Sequence, residues 1–168
     1  DRMSEGRLHF ASAMTLTGHV DGEDASTGVS YLEIARVLIE HGCQAADDLR
    51  ELWTRIVFNM LVSNADDHLR NHGFILVPGK GWRLSEAYDM NPVPDSHGLK
   101  LNVGQADNAL DLELARSVAG YFRIPAKQAD EIIVRCKGVV RQWPTIAQSL
   151  RISDREQQRM TGAFKLAD

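Results

Sequence analysis

The 168 residues are 43% hydrophobic and 25% charged, which is enough apolar material for one globular domain with a sizeable core. A formal net charge of -4 and a pI near 5.9 argue against a broad basic footprint, so direct nucleic-acid binding by this chain is not expected. No apolar run approaches the roughly 20 residues that span a bilayer, and two cysteines, Cys43 and Cys136, are too few for a disulfide framework, so reduced thiols in a cytoplasmic compartment are expected.

In chain order, a loose start leads to a polar loop over residues 19–29, rich in Gly, Asp, Ser and Thr. Ser30-Tyr31-Leu32-Glu33 then has the S-x-x-E pattern of a capping box, which predicts a helix stopping near Gly42. From about Asp47 to Ser63, the residues Leu49, Leu52, Trp53, Ile56, Val57, Met60 and Leu61 recur at spacings of three and four. This predicts a strongly amphipathic helix that delivers the chain to Asp66.

Gly73 to Val77 is a short apolar run, Pro78-Gly79-Lys80-Gly81 is a turn signal, and Trp82-Arg83-Leu84 returns, so a β-hairpin is expected. Met90 to Asp107 is irregular, with Pro92, Pro94, Gly98 and Gly104, and has the character of a substrate loop to which His97, Asn102 and Gln105 can contribute. Three helical patterns follow, near 111–121, 125–142 and 154–164. The second begins at Pro125 and takes Ile132, Ile133, Cys136, Val139, Val140 and Trp143 as its buried face; the third follows the capping box Ser153 to Glu156. The fold class is therefore mainly α with a small β-hairpin.

The informative stretch is Asn64-Ala65-Asp66-Asp67-His68-Leu69-Arg70-Asn71-His72-Gly73-Phe74, answered by Trp82 to Asp89. Phosphoryl transfer needs a carboxylate to take the proton from an attacking hydroxyl, and hard oxygen ligands to hold magnesium on ATP. Asp66 and Asn71 have the D-x-x-x-x-N spacing of a kinase catalytic loop. The two outer ends of the hairpin come together, so Asn71 before it and Asp89 after it can meet at one metal. A plainer reading has Asp66 and Asp67 capping a turn that Asn71 closes through its side chain. His68 and His72 are spaced like a zinc pair, but no third ligand stands at a fitting distance in sequence, so His72 reads as structural. Arg70 either meets a phosphate or is a solvated charge.

The motifs N-A-D-D-H-L-R-N-H-G-F and W-R-L-S-E-A-Y-D-M-N-P resemble the catalytic core of the HipA-type serine/threonine kinases of bacterial toxin–antitoxin systems. The resemblance extends more loosely from Leu8 through the helices after residue 110. It implies the helical carboxy-terminal lobe of a protein-kinase-like fold. Within that lobe it makes Asp66 the catalytic base, His68 a companion at the transferred phosphate or a brace for the loop, and Asn71 and Asp89 the ligands of the magnesium that carries ATP. It also implies a protein substrate and a small DNA-binding antitoxin of the HipB type as partner.

The departures are equally specific. There is no G-x-G-x-x-G loop, no V-A-I-K-like strand lysine and no partner glutamate for one. The chain opens with Asp1-Arg2 and lacks signal-peptide regions, so it is expected to be the carboxy-terminal portion of a longer polypeptide whose nucleotide-holding lobe lies elsewhere. The competing expectation is a silent lobe that serves only to dock the antitoxin or another protein. A magnesium-dependent hydrolase is a third reading.

Overall fold

A computed structural model describes residues 2–3 and 6–168. In chain order these form β1 (Arg2–Met3) and β2 (Gly6–Arg7), which pair with each other, then β3 (Phe10–Ser12), α1 (Ala13–Thr17), α2 (Tyr31–His41), α3 (Ala45–Leu61), β4 (Gly73–Val77), β5 (Gly81–Leu84), α4 (Leu112–Val118), α5 (Ala126–Val140), α6 (Trp143–Ser149) and α7 (Asp154–Met160). The fold is mainly α with a small antiparallel sheet, as the sequence indicates. No helix among the described residues is long and apolar enough to cross a membrane.

Helix α3 is the centre of the core. Leu49, Leu52, Trp53, Ile56, Val57, Met60 and Leu61 are all fully buried, which is the stripe that their spacing predicts. The helix packs against α2, α4, α5 and β5, and the Trp53 indole donates to the Ala115 carbonyl at 3.0 Å, tying it to α4. Asp47 and Asp48 stand in its first turn, where the helix dipole favours negative charge. The helix ends at Leu61 rather than Ser63, because Ser63 turns into the left-handed region at φ 53° and redirects the chain toward the loop that follows.

The three polar residues on this otherwise apolar surface are not incidental. Asp48, Arg55 and Asn59 are spaced by seven and then four residues, so they share one helix face, and all three are buried. Asp48 accepts from the Leu84 amide at 2.9 Å and Arg55 donates to the Ser85 carbonyl at 2.7 Å. The helix thereby grips the exit of β5.

The expected hairpin is present. Strands β4 and β5 pair in the register Phe74↔Leu84 through Val77↔Gly81, and the turn closes through Lys80 N to Val77 O at 3.0 Å, with Gly79 at φ 71°. A third strand that the sequence reading left as a loose start adds to the other side: β3 pairs with β4 as Phe10↔Ile75 and Ser12↔Gly73. Gly73 is required where these strands converge, since a Cβ there would lie 2.3 Å from the Phe10 ring and 2.7 Å from Ser85 Oγ. Ser12 then caps α1 by accepting from the Thr15 amide at 3.3 Å. At α2 the expected capping box of Ser30 and Glu33 is present, with the Glu33 carboxylate accepting from the Ser30 amide at 3.2 Å.

The carboxy-terminal third corrects two expectations. Helix α5 stops at Val140, and Trp143 belongs to a separate helix, α6, because Pro144 in its first turn cannot continue a preceding helix. Trp143 stacks on Phe164 with ring centroids 4.5 Å apart, and Val139 is 56% exposed rather than part of the buried face. Asn102, expected among substrate-facing residues, is buried: its side chain donates to the Ala25 carbonyl at 2.9 Å and its backbone brackets Val29 and Tyr31. It pins the 19–29 loop against the body, whereas His97 and Gln105 are exposed.

Truncating the core at its centre, Trp53→Ala, is expected to cost about 3–5 kcal/mol through lost burial, the cavity left behind and the abandoned Ala115 carbonyl. A urea midpoint that falls accordingly, at an unchanged slope, checks this.

Candidate active site

The loop between α3 and β4 carries the informative motif, and its burial alternates sharply. Asp66 and Arg70 are exposed, whereas Asp67, Leu69, Asn71 and His72 are buried. A short 3-10 turn, Leu69–Asn71, then feeds the chain into β4.

Asp67 is the residue that the sequence reading undervalued by treating it as half of a capping pair. Its side chain is 3% exposed, and one carboxylate oxygen, Oδ2, accepts from three donors: Tyr31 Oη at 2.5 Å, Asn59 Nδ2 at 2.7 Å and His72 Nε2 at 3.0 Å. Those donors come from α2, α3 and the entry to β4. Burial alone raises the acid's pKa, but the His72 ring and the hydrogen bonds from His72 and Tyr31 outweigh it, and the carboxyl is held below its ordinary range. Burial next to this negative charge pushes the Tyr31 hydroxyl well up, which keeps it a donor. The available signal was Asn59, a polar residue within the apolar stripe of α3. His72 takes the structural place expected of it, with its ring edge-on to Tyr31 at 5.6 Å.

Asp66 faces the opposite way. It lines an open cleft of about 300 Å³ together with His68 and Arg70, across from Asp21, Glu23 and Lys100. The 19–29 loop forms the far wall, held by His19, whose two ring nitrogens contact Glu23 at 2.8 Å and Glu33 at 2.7 Å. The Glu33 contact, reinforced by Glu23, raises the His19 pKa against the lowering effect of burial. Arg70 is exposed and ion-paired with Asp21, which is the solvated-charge arrangement. His68 Nδ1 is buried without a hydrogen-bond partner among the described residues, while its Nε2 lies 3.5 Å from Arg70.

The segments carrying the two candidate metal ligands approach each other beyond the outer ends of the hairpin. Ser85 N donates to Gly73 O at 2.8 Å, closing the open end of the strand pair, and Tyr88 Oη donates to the Arg70 carbonyl at 2.7 Å, folding the following segment back over the loop. Asn71, Tyr88 and Met90, the last two flanking Asp89, line one small pocket with Asp67. Asp89 sits in the left-handed region at φ 57°, a conformation uncommon for a non-glycine residue and enriched at functional sites.

The donor chemistry at this place fits a magnesium ion. Asn71 Nδ2 donates to the Asp66 carbonyl at 3.2 Å, which leaves its Oδ1 without a donor among the described residues. Asn91 takes one Asp89 carboxylate oxygen at 2.7 Å, leaving the other available. Two hard oxygens suit a cation that takes its remaining ligands from water and phosphate. Groups of three or more His, Cys, Asp or Glu that could hold a metal ion are absent among the described residues, and Cys43 and Cys136 are free thiols.

Residues 1–143 match the model of the HipA-like C-terminal domain. The chain belongs to that family. A Haemophilus influenzae protein named "Putative kinase" is 34% identical over 77 residues, covering 44% of this chain and 22% of that protein. Among solved structures, a chain of the Shewanella oneidensis MR-1 HipA, HipB and operator DNA complex superposes with a TM-score of 0.71 at 17% identity, over 96% of this chain and 42% of that one. The HipA-like domain thus shares its fold with that structure and spans under half the length of both relatives.

Replacing Asp67 with Asn should cost about 3 kcal/mol near neutral pH, because the buried donors Tyr31, Asn59 and His72 lose the carboxylate that accepts from all three. The sign follows from a depressed folded-state pKa: the stabilisation is present above the ordinary carboxylate range and lost as pH falls through the folded value. Denaturant unfolding of both proteins should therefore show a gap that narrows as pH falls below about 4. A constant gap would assign the loss to packing.

Proposed function

We propose that this HipA-like domain is the catalytic lobe of a magnesium-dependent protein serine/threonine kinase. Support comes first from the segments on either side of one hairpin: the Asp66 carboxylate lies on an open cleft, Asn71 Nδ2 donates to the Asp66 carbonyl, Tyr88 beside Asp89 donates to the Arg70 carbonyl, and Asn71 and Asp89 each keep an unclaimed side-chain oxygen. In this reading Asp66 accepts the proton of a substrate hydroxyl as its oxygen attacks the γ-phosphorus of ATP. The bond from that phosphorus to the β,γ-bridging oxygen breaks, and ADP leaves. Asn71 and Asp89 hold the magnesium, which supplies charge neutralisation on the phosphate oxygens. His68 lines the same cleft as Asp66, and in this reading it meets the transferred group or braces the loop.

The family relationship and the kinase name borne by the Haemophilus influenzae relative support the same reaction class. We further propose a cytoplasmic protein that works with a DNA-binding antitoxin of the HipB type, by analogy with the Shewanella oneidensis complex. The chain's acidic balance leaves DNA contact to that partner.

One observation favours the rival reading, a docking module without catalysis: the sequence has no G-x-G-x-x-G loop and no V-A-I-K-like lysine. In the kinase reading those contacts come from outside these 168 residues, and the chain alone transfers phosphate poorly.

The test is transfer of labelled γ-phosphate from magnesium-ATP to protein, made with the full gene product. Asp66→Asn should lower kcat by about 10²–10⁴-fold with the fold intact. Asp89→Asn should weaken magnesium-nucleotide binding as well as the rate. Unimpaired labelling by both variants would overturn the site assignment, release of phosphate without labelled protein would favour a hydrolase, and no labelling by a folded parent would favour the docking module.

A further inference from the structure

Asn64 opens the informative motif yet has no place in the chemistry just described. It is 1% exposed, as is Asn59, and the two residues are joined twice, once through the backbone and once through their carboxamides. Asn64 N donates to the Asn59 carbonyl at 2.8 Å, and Asn64 Nδ2 donates to Asn59 Oδ1 at 3.1 Å. The same Nδ2 reaches the backbone carbonyl of Asp89 at 3.4 Å. On its other side, Asn59 Nδ2 is committed to Asp67 Oδ2 at 2.7 Å.

A carboxamide has one acceptor and one donor end, and the neighbours here accept only one orientation of each. Asp67, an acceptor only, fixes which way Asn59 points, so that Asn59 Oδ1 faces Asn64. That in turn presents Asn64 Nδ2 rather than its oxygen toward the Asp89 carbonyl. Reversing either amide would set oxygen against oxygen at a buried contact. Asp89 needs such a hold, because a non-glycine residue at φ 57° occupies a sparsely populated backbone state that its surroundings must impose.

We propose that Asn64 is a positioning residue for Asp89: the buried relay from Asp67 through Asn59 and Asn64 holds the backbone of Asp89 so that its carboxylate is set for the metal-nucleotide. This inference rests on the reading of Asp89 as a metal ligand. It adds that metal affinity is set from inside the helical body, by a residue that touches neither metal nor substrate.

The experiment is titration of the full gene product with manganese-ATP, read by water-proton relaxation, on the parent and on Asn64→Ala, Asp89→Asn and Ile133→Ala. Ile133 is a buried core residue of α5, so its truncation controls for general loss of stability. The relay predicts that Asn64→Ala raises the Kd roughly 10-fold, as removal of outer-sphere support typically does, while Ile133→Ala leaves it unchanged. Should Asn64→Ala fail to fold, Asn64→Ser is titrated in its place with the same expectation. If Asp89→Asn weakens binding but the Asn64 variant does not, or if Ile133→Ala weakens it equally, the relay is overturned and the metal reading stands. If Asp89→Asn binds as the parent does, or the parent binds no manganese-ATP, the metal reading fails and the relay with it.

Discussion

A single buried oxygen, Asp67 Oδ2, is the constraint on which the site depends. It gathers a hydroxyl from the start of α2, a carboxamide from the end of α3 and an imidazole from the entry to β4. Away from water each of those donors is costly to leave unpaired, and a carboxylate without them would be costlier still. The group is therefore satisfied in this arrangement and few others. Because Asp67 and His72 bracket the loop, holding their side chains together fixes the residues between them.

This separates two adjacent carboxylates into different roles. Asp67 is enclosed and tied through Oδ2 to three donors, whereas Asp66 is exposed on a cleft shared with His68 and Arg70. Sequence adjacency conceals that difference, but backbone direction creates it. Helix α3 serves both sides: Asn59 secures the loop, while Asp48 and Arg55, on the same face, secure the chain leaving β5 toward Asp89. One rigid element thus supports both halves of the site, as precise placement of functional groups requires.

The parts legible in the sequence were those written in local chemistry. The α3 stripe follows from apolar residues at helical spacing, and the β4–β5 hairpin from a Pro-Gly-Lys-Gly turn between two apolar runs. The approach of the segments that carry Asn71 and Asp89 could be anticipated because a hairpin returns its ends to one another. What escaped was non-local. Strand β3 has three residues and exists through its ladder to β4. The break between α5 and α6 was hidden by an apolar pattern running through Val139 to Trp143, although Pro144 marked it. The three donors of Asp67 come from positions 31, 59 and 72, with no motif to connect them beyond the anomaly of an asparagine inside an apolar stripe.

The central claim is a division of labour in which Asp67 binds the protein together while Asn71 and Asp89 hold the metal beside Asp66. A crystal structure of the protein with manganese and a non-hydrolysable ATP analogue, with the metal located by its anomalous signal, tests this most directly. The account predicts manganese coordinated by Asn71 Oδ1 and the Asp89 carboxylate, with Asp67 still accepting from Tyr31, Asn59 and His72. Manganese coordinated by Asp67, or lying away from the outer ends of the hairpin, would contradict it.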